Sequence, residues 1–190
     1  MHDLESEDEQ LILQAKQDPL AFGALYDKYS YRIYRYIYRQ VKDETVANDI
    51  TSITFEKAMR GLPGYKWQNK SFCAWLYRIA RNEIIRDSYK KRLLAPFRFF
   101  QEPSTEKRGV EHRLQKYEQY EEIARALAQL STKDRELIAL RFFEELTAEE
   151  VSEVLQISTT NVYVRLHRAL KRLKATMEQQ PVTLRRVSNV

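Results

Sequence analysis

The side chains of this 190-residue chain most able to do chemistry are cations, and they are gathered rather than scattered. Residues 165–174 hold Arg165, Arg168, Lys171, Arg172 and Lys174 and no acid. Residues 78–92 hold Arg78, Arg81, Arg86, Lys90, Lys91 and Arg92 against Glu83 and Asp87. Two separated basic stripes fit a polyanion gripped at two places, although a single charge run also describes a solvated helix face. Just before the first stripe, one loop carries Tyr65, Lys66, Trp67, Gln68, Asn69 and Lys70. Rings, amides and cations together suit unstacked bases, which stack on the rings and bond to the amides. Trp67 taken alone equally fits a loop aromatic folded onto the core. Tyrosines form a third group: Tyr26, Tyr29, Tyr31, Tyr34, Tyr36 and Tyr38, with Lys28, Arg32, Arg35 and Arg39 between them. Tyr26 and Tyr29 belong to a core stripe. The other four suit a partner surface or an amphipathic surface.

Catalytic chemistry finds little support. The one cysteine, Cys73, lies in a helix without a histidine partner and reads as a small packed residue. It excludes an internal disulfide framework and a multi-cysteine zinc site. His2, His112 and His167 are far apart, and no glycine loop is built to cradle phosphate. The pairs Glu144-Glu145 and Glu149-Glu150 suit helix starts and solvated faces. No catalytic residue, metal or cofactor is therefore expected, which leaves a nuclease or nucleotide transferase poorly supported. The composition, 43% apolar and 31% charged with four glycines and five prolines, excludes disorder and collagen and argues against a β-rich fold. Residues 1–20 carry six acids against Lys16, unlike a signal peptide, and no uncharged run approaches the roughly 18–20 residues of a membrane span. A cytoplasmic protein without membrane insertion is expected, its acidic start poised to cover a basic face.

The elements that must position these groups are helices. The predicted fold is all-α: two small helical domains, 6–94 and 116–177, joined by a flexible linker over 95–115, the second a helix-turn-helix. Ser6 with Glu9 forms a capping-box pattern, followed by Leu11, Ile12 and Ala15. Phe22, Leu25, Tyr26, Tyr29, Ile33, Ile37 and Val41 recur at helical spacing, as do Val46, Ile50, Ile53 and Ala58. Gly61, Pro63 and Gly64 end that helix, and another runs from about Ser71 to Arg92. Its predicted buried side is Phe72, Leu76, Ile79, Ala80 and Ile84, with Trp75 near the core and Arg78, Arg81 and Asn82 opposite. Glu83 falls inside the apolar stripe without an evident reason. Pro96, Pro103 and Gly109 break the periodicity, although Leu93 to Phe100 is apolar for a linker.

In the second half, a helix carries Ile123, Ala126, Leu127 and Leu130. Ser131 caps the next, which carries Leu137, Ile138, Leu140 and Phe143. Thr147 with Glu150 forms a capping box before a short helix. Gln156-Ile157-Ser158 make a turn, and a last helix runs from Thr159 to about Met177. At 100° per residue, Val162, Leu166, Ala169, Leu170 and Leu173 fall inward. Thr160, Val164, His167, Arg168 and Lys171 fall outward. The exposed N-terminal part of such a helix, Thr160 and Asn161 included, enters the major groove. Arg168 can donate two bonds to a guanine edge, while Lys171, Arg172 and Lys174 suit phosphates.

In this order the pieces resemble a bacterial RNA polymerase sigma factor of the extracytoplasmic-function group, over about residues 10–175. The resemblance rests on Phe22-Gly-Ala-Leu-Tyr26, Asp49-Ile50 and Phe55-Glu-Lys-Ala58. It rests also on Phe72-Cys-Ala-Trp75-Leu76-Tyr-Arg78-Ile79-Ala80-Arg81-Asn82 and on Val162-Tyr-Val-Arg165-Leu166-His-Arg168-Ala169. It implies that the first domain docks on core polymerase through Asp49, Ile50, Ile53, Phe55 and Glu56. It implies −10 contacts from the 61–71 loop, with Trp67, Gln68, Asn69 and Lys70, and from Arg78, Arg81 and Asn82. The −35 contacts fall on Tyr163, Val164, His167 and Arg168. Expected partners are core RNA polymerase, promoter DNA and an anti-sigma factor. The chain departs from the family's habits at Ser52-Ile53, where Gln-Glu is frequent, at Arg86-Asp87, at Tyr163-Val164 and at Thr160. The rival reading is a repressor or activator that needs only the C-terminal half.

Overall fold

The computed structural model describes residues 2–66, 71–91 and 123–179. Helix α1 spans His2–Gln17, α2 Phe22–Val41, α3 Glu44–Gly61 and α4 Phe72–Lys91. A helix over 123–128, α5, precedes α6 at Thr132–Ile138, α7 at Ala148–Leu155 and α8 at Thr159–Gln179. Among the described residues there is no strand.

Local chemistry explains most boundaries. Asp18 accepts from the Leu20 N–H and opens a short 3-10 turn, Pro19–Ala21. Lys42 ends α2 in the left-handed region, φ 58°, and Asp43 accepts from the Val46 N–H to start α3. Leu62–Gly64 tightens into a 3-10 turn where the glycines and proline stop α3. Ser131 caps α6, and the reciprocal Thr147–Glu150 capping box starts α7 as its spacing predicts. At the other end of the chain the prediction fails. There α1 begins at His2, four residues ahead of Ser6.

The first domain stacks α2 on α3, lays α4 across both, and closes one side with α1. Its core holds Ile12, Phe22, Leu25, Ile33, Tyr36, Ile37, Phe55, Phe72, Leu76 and Tyr77. Each large apolar side chain removed from water contributes about 1.5–3 kcal/mol before entropy is counted. Tyr36, grouped with the surface tyrosines although it stands seven residues after Tyr29, is 1% exposed and meets the Tyr77 ring edge-on at 5.0 Å. Tyr26, assigned to the core stripe, is instead 43% exposed, its ring resting on Phe55.

In the second domain α6 and α7 both pack on α8, with Leu127, Leu130, Ile138 and Ala169 in a core of their own. Arg135 ties the end of α5 by donating to the carbonyls of Ala128 and Leu130. Ala139–Phe143 forms a turn of π-helix that the apolar spacing does not predict. The two domains also share a core. Leu137, Leu140, Leu146, Val151, Val154 and Val162 join the cluster of the first domain, and α7 packs against α4. The linker over 95–115, with the apolar Leu93 to Phe100 stretch, lies outside the described residues.

Candidate nucleic-acid interface

Helix α8 presents its predicted face. The Gln156 backbone, left-handed at φ 55°, turns the chain after α7, and Ser158 Oγ accepts from the Asn161 N–H to start the helix. Val162 and Ala169 are fully buried, and Leu166 and Leu173 half-buried. Thr160, Asn161, Tyr163, Val164, His167, Arg168 and Lys171 are all exposed, Tyr163 by 58%. Leu170, placed inward by its angle, is 37% exposed, left uncovered by the described residues. A cavity of about 640 Å³ runs beside the helix, and Lys133, Arg165, Arg168 and Arg172 line it together with Ser131 and Asp134. Arg172 donates to Asp134 at 2.7 Å, which fixes one of those cations. Lys133 was missed by the sequence analysis because it comes from α6. Its signal was a cation two residues after the Ser131 cap.

A second cavity, about 380 Å³, lies where α3 ends and α4 begins, lined by Gly61, Gly64, Tyr65, Lys66, Trp75 and Arg78. Its floor is aromatic: Tyr65 lies 4.8 Å from Trp75 and 5.6 Å from Phe72, centroid to centroid. A Cβ on Gly61 would meet the Trp75 ring at 3.1 Å, so glycine is what lets the indole lie against the end of α3. Lys16 of α1 donates to the Tyr65 carbonyl and anchors the base of the loop. Trp67, Gln68, Asn69 and Lys70 lie outside the described residues. Lys66 and Arg78 thus bring positive charge, with Glu153 opposing it, beside a cluster of tilted rings, and rings with cations suit a base and its phosphate. Asn82 is exposed, and Arg78 half-buried.

Arg81 is not an open contact. Its Nε and Nη2 donate to the two carboxylate oxygens of Glu136, on α6, at 2.7 and 3.3 Å. Glu83 has a reason to sit in the apolar stripe: it is buried and pairs with Lys57 of α3 and with Arg86. Glu144, assigned to a solvated face, is 3% exposed. Arg39 Nη1 donates to its Oε1 and the Tyr77 hydroxyl to its Oε2, both at 2.6 Å. Arg32 donates to the Tyr77 oxygen at 3.0 Å and to the Glu144 carbonyl. Burial, followed by the charge on Glu144, pushes the Tyr77 phenol well above its ordinary range. The signal for Glu144 was its position four residues after Leu140 and seven after Leu137, on the inward stripe.

Of the residues implied for polymerase docking, Asp49 and Glu56 are exposed and Ile53 half-exposed. Ile50 and Phe55 are each 3% exposed. These two pack within the core, and Asp49, Ile53 and Glu56 form the accessible edge of α3. Of the acidic start, two carboxylates have described side-chain partners. Glu7 and Asp8 pair with Lys28, and Tyr29 donates to Asp8. Among the described residues no group of three or more His, Cys, Asp or Glu could hold a metal, and no helix is long and apolar enough to cross a membrane.

Cys73 is buried in the core of the first domain, and burial pushes its thiol up to about 12. The unfolded chain therefore loses this proton first. Stability linked to Cys73 is complete below pH ~9 and falls as pH rises toward the folded value. Native protein at pH 8 is expected to resist iodoacetamide, while the urea-unfolded chain is alkylated, as read by mass spectrometry. Equal rates in the two states would contradict the packing.

Two family models match, in chain order. "Sigma-70 region 2" matches residues 25–93 and "Sigma-70, region 4" residues 120–173. The RNA polymerase sigma factor YlaC of Bacillus subtilis is 31% identical over 160 residues, 80% of this chain and 90% of that protein. The ECF RNA polymerase sigma factor BldN of Streptomyces coelicolor is 31% identical over 156 residues, 80% of this chain but 59% of that longer protein. Among solved structures, CnrH in complex with the cytosolic domain of CnrY superposes with a TM-score of 0.65 at 26% identity, covering 91% of this chain and 98% of that one. A sigma factor RpoE from Bartonella quintana, solved with the anti-sigma factor NepR, shares the fold at 20% identity and a TM-score of 0.59, covering 84% of this chain and 98% of that one. With both region models matched in order and these relatives alike over most of its length, the chain belongs to the extracytoplasmic-function group of the sigma-70 family, which are non-enzymatic initiation factors.

Proposed function

We propose that the chain binds core RNA polymerase and directs promoter-specific initiation by dividing the promoter between its two domains. Helix α8 reads the −35 element as duplex, with Thr160, Asn161, Tyr163, Val164, His167 and Arg168 toward base edges and Lys171 toward phosphate. The first domain takes the opened −10 strand: a flipped base enters the cavity over Tyr65 and Trp75, while Arg78, Arg81 and Asn82 hold the adjoining strand. Stacking and hydrogen bonds there offset an unstacking cost of a few kcal/mol. Asp49, Ile53 and Glu56 form the edge that meets polymerase. The observation that carries this is the cavity itself, floored by rings and rimmed by Lys66 and Arg78, in the same chain as an exposed helix-turn-helix. The work is then done in the cytoplasm, beside polymerase and DNA. Relatives solved with anti-sigma factors support a regulatory protein partner of that class for this chain too.

Transcription from purified components tests the proposal. The protein, bacterial core polymerase and fragmented genomic DNA of the source are combined, and the 5′ ends are mapped. Defined starts that share two upstream elements are expected, and their loss with Arg81→Ala is the expected mark of the −10 assignment. Core binding without starts would point to a missing activator. Tight duplex binding without core binding would instead identify a repressor.

A further inference from the structure

Helix α1 lies ahead of residue 25, where the match to region 2 begins, yet it reaches the cavity over Tyr65 and Trp75. Its acids seat it on α2: Glu7 and Asp8 pair with Lys28, and Tyr29 donates to Asp8. Ile12 and Ala15 are buried in the core of the first domain. Lys16, one helical turn after Ile12, carries its ammonium to the Tyr65 carbonyl. The Tyr65 N–H donates to the Leu62 carbonyl at 3.0 Å, and the backbone leaves the 3-10 turn extended at φ −68° and ψ 126°. The Tyr65 ring meets Phe72 and Trp75. The bond from α1 therefore orients the peptide that leads from this ring into Lys66 and the rest of the loop. An ammonium on a carbonyl is a charge-assisted bond, stronger than a neutral one. Helix α1 also touches the aromatic floor by a second route, since Asp8 holds Tyr29, whose ring stands 5.7 Å from Phe72.

We propose that Lys16 is a positioning residue for strand capture: through the Tyr65 carbonyl it sets where the Tyr65 ring and the start of the 61–71 loop stand, so that α1 governs promoter opening without touching a base. This rests on assigning α4 and that loop to the −10 strand. A binding constellation works at full strength only when held to within about 0.5 Å, and here the hold on the backbone comes from a helix outside the loop. The other two tasks of the chain make no use of this contact. Duplex is read by the outward face of α8, and the accessible edge of α3 is formed by Asp49, Ile53 and Glu56. Loss of the Lys16 bond is therefore a selective defect, confined to the opened strand.

Lys16→Met tests this in holoenzyme assembled with the full chain. The change removes the donor and keeps an apolar stem, and residue 16 is exposed, so the fold is not at stake. The probe is a fluorescein-labelled single strand carrying the mapped promoter element nearer the start. Its affinity by anisotropy should fall about tenfold, as expected when a binding group is displaced. Permanganate reactivity of the opened thymines should fall with it, and Lys16→Arg should recover most of both. Core affinity, −35 duplex affinity and Tm should stay constant. The salt slope of single-strand binding should also stay constant, whereas loss of a direct phosphate contact would lower it by about 0.7. Equal single-strand affinity in Lys16→Met, a lowered salt slope, or a loss shared by core and duplex binding would each overturn the proposal. Arg81→Ala separates the two possible failures. If it too binds the strand normally, the −10 assignment fails and the proposal with it. If Arg81→Ala loses the strand while Lys16→Met keeps it, the proposal fails alone.

Discussion

Phe72→Ala is expected to lower the unfolding free energy by about 3–5 kcal/mol, the usual cost of emptying a large aromatic site in a core. The Phe72 ring is fully buried. It stands 5.7 Å from Tyr29, 5.6 Å from Tyr65 and 5.5 Å from Trp75, centroid to centroid. No neighbour is placed to fill the space, because Tyr29 is held by its bond to Asp8 and the Tyr65 backbone by Lys16. For a domain of this size each kcal/mol moves Tm by roughly 2–4 °C, so a fall of about 10 °C is expected by calorimetry. Phe72→Leu, which keeps most of the volume, should cost about half as much or less. A fall of only a degree or two in Phe72→Ala would mean that the aromatic floor of the −10 cavity is not packed as described.

Arg168→Ala and Lys171→Ala should separate base reading from phosphate binding on α8. Both side chains are exposed and both are single cations, so loss of charge is common to the two. A bidentate contact to a base edge is worth about 1–3 kcal/mol of discrimination, or roughly 5- to 150-fold. Arg168→Ala should therefore weaken binding to the −35 duplex within that range and flatten preference at one base position. Lys171→Ala should weaken binding evenly across sequences and reduce the salt slope by about one ion. The measurement is fluorescence anisotropy against the mapped promoter and single-base variants, at several salt concentrations. If the two substitutions gave the same profile, Arg168 would be a phosphate contact, as its place in the cavity beside Arg165 and Arg172 would then explain.

Helix boundaries and the recognition helix were legible in the sequence because both depend on local spacing. The Thr147–Glu150 box, the Gln156–Ser158 turn and the inward placement of Val162 and Ala169 follow from a 3.6-residue period and the chemistry of a few caps. Tyr36, seven residues after Tyr29 and three after Ile33, lies inside the apolar stripe of α2, and so does Tyr26, yet only Tyr36 is buried. There a neighbouring helix decides which tyrosine is covered. Tyr36 lies against Tyr77 of α4, whereas Tyr26 touches Phe55 on one side and stays 43% exposed.

Charge showed the same division. Composition and spacing placed the cations, separated the two basic stripes and excluded a metal or nucleophile chemistry built on cysteine. They could not say which cations remain open to a ligand. Arg81 is engaged by Glu136, Arg39 by Glu144 and Lys57 by Glu83, and every one of these acids comes from another segment of the chain. The sequence by itself therefore determined that this protein is a helical, two-part reader of nucleic acid. Only the tertiary structure decided which of its surfaces is ready to read. The reason is physical: helix formation is settled by neighbours three and four residues away, whereas an ion pair between distant segments exists only after the chain has brought them within about 3 Å.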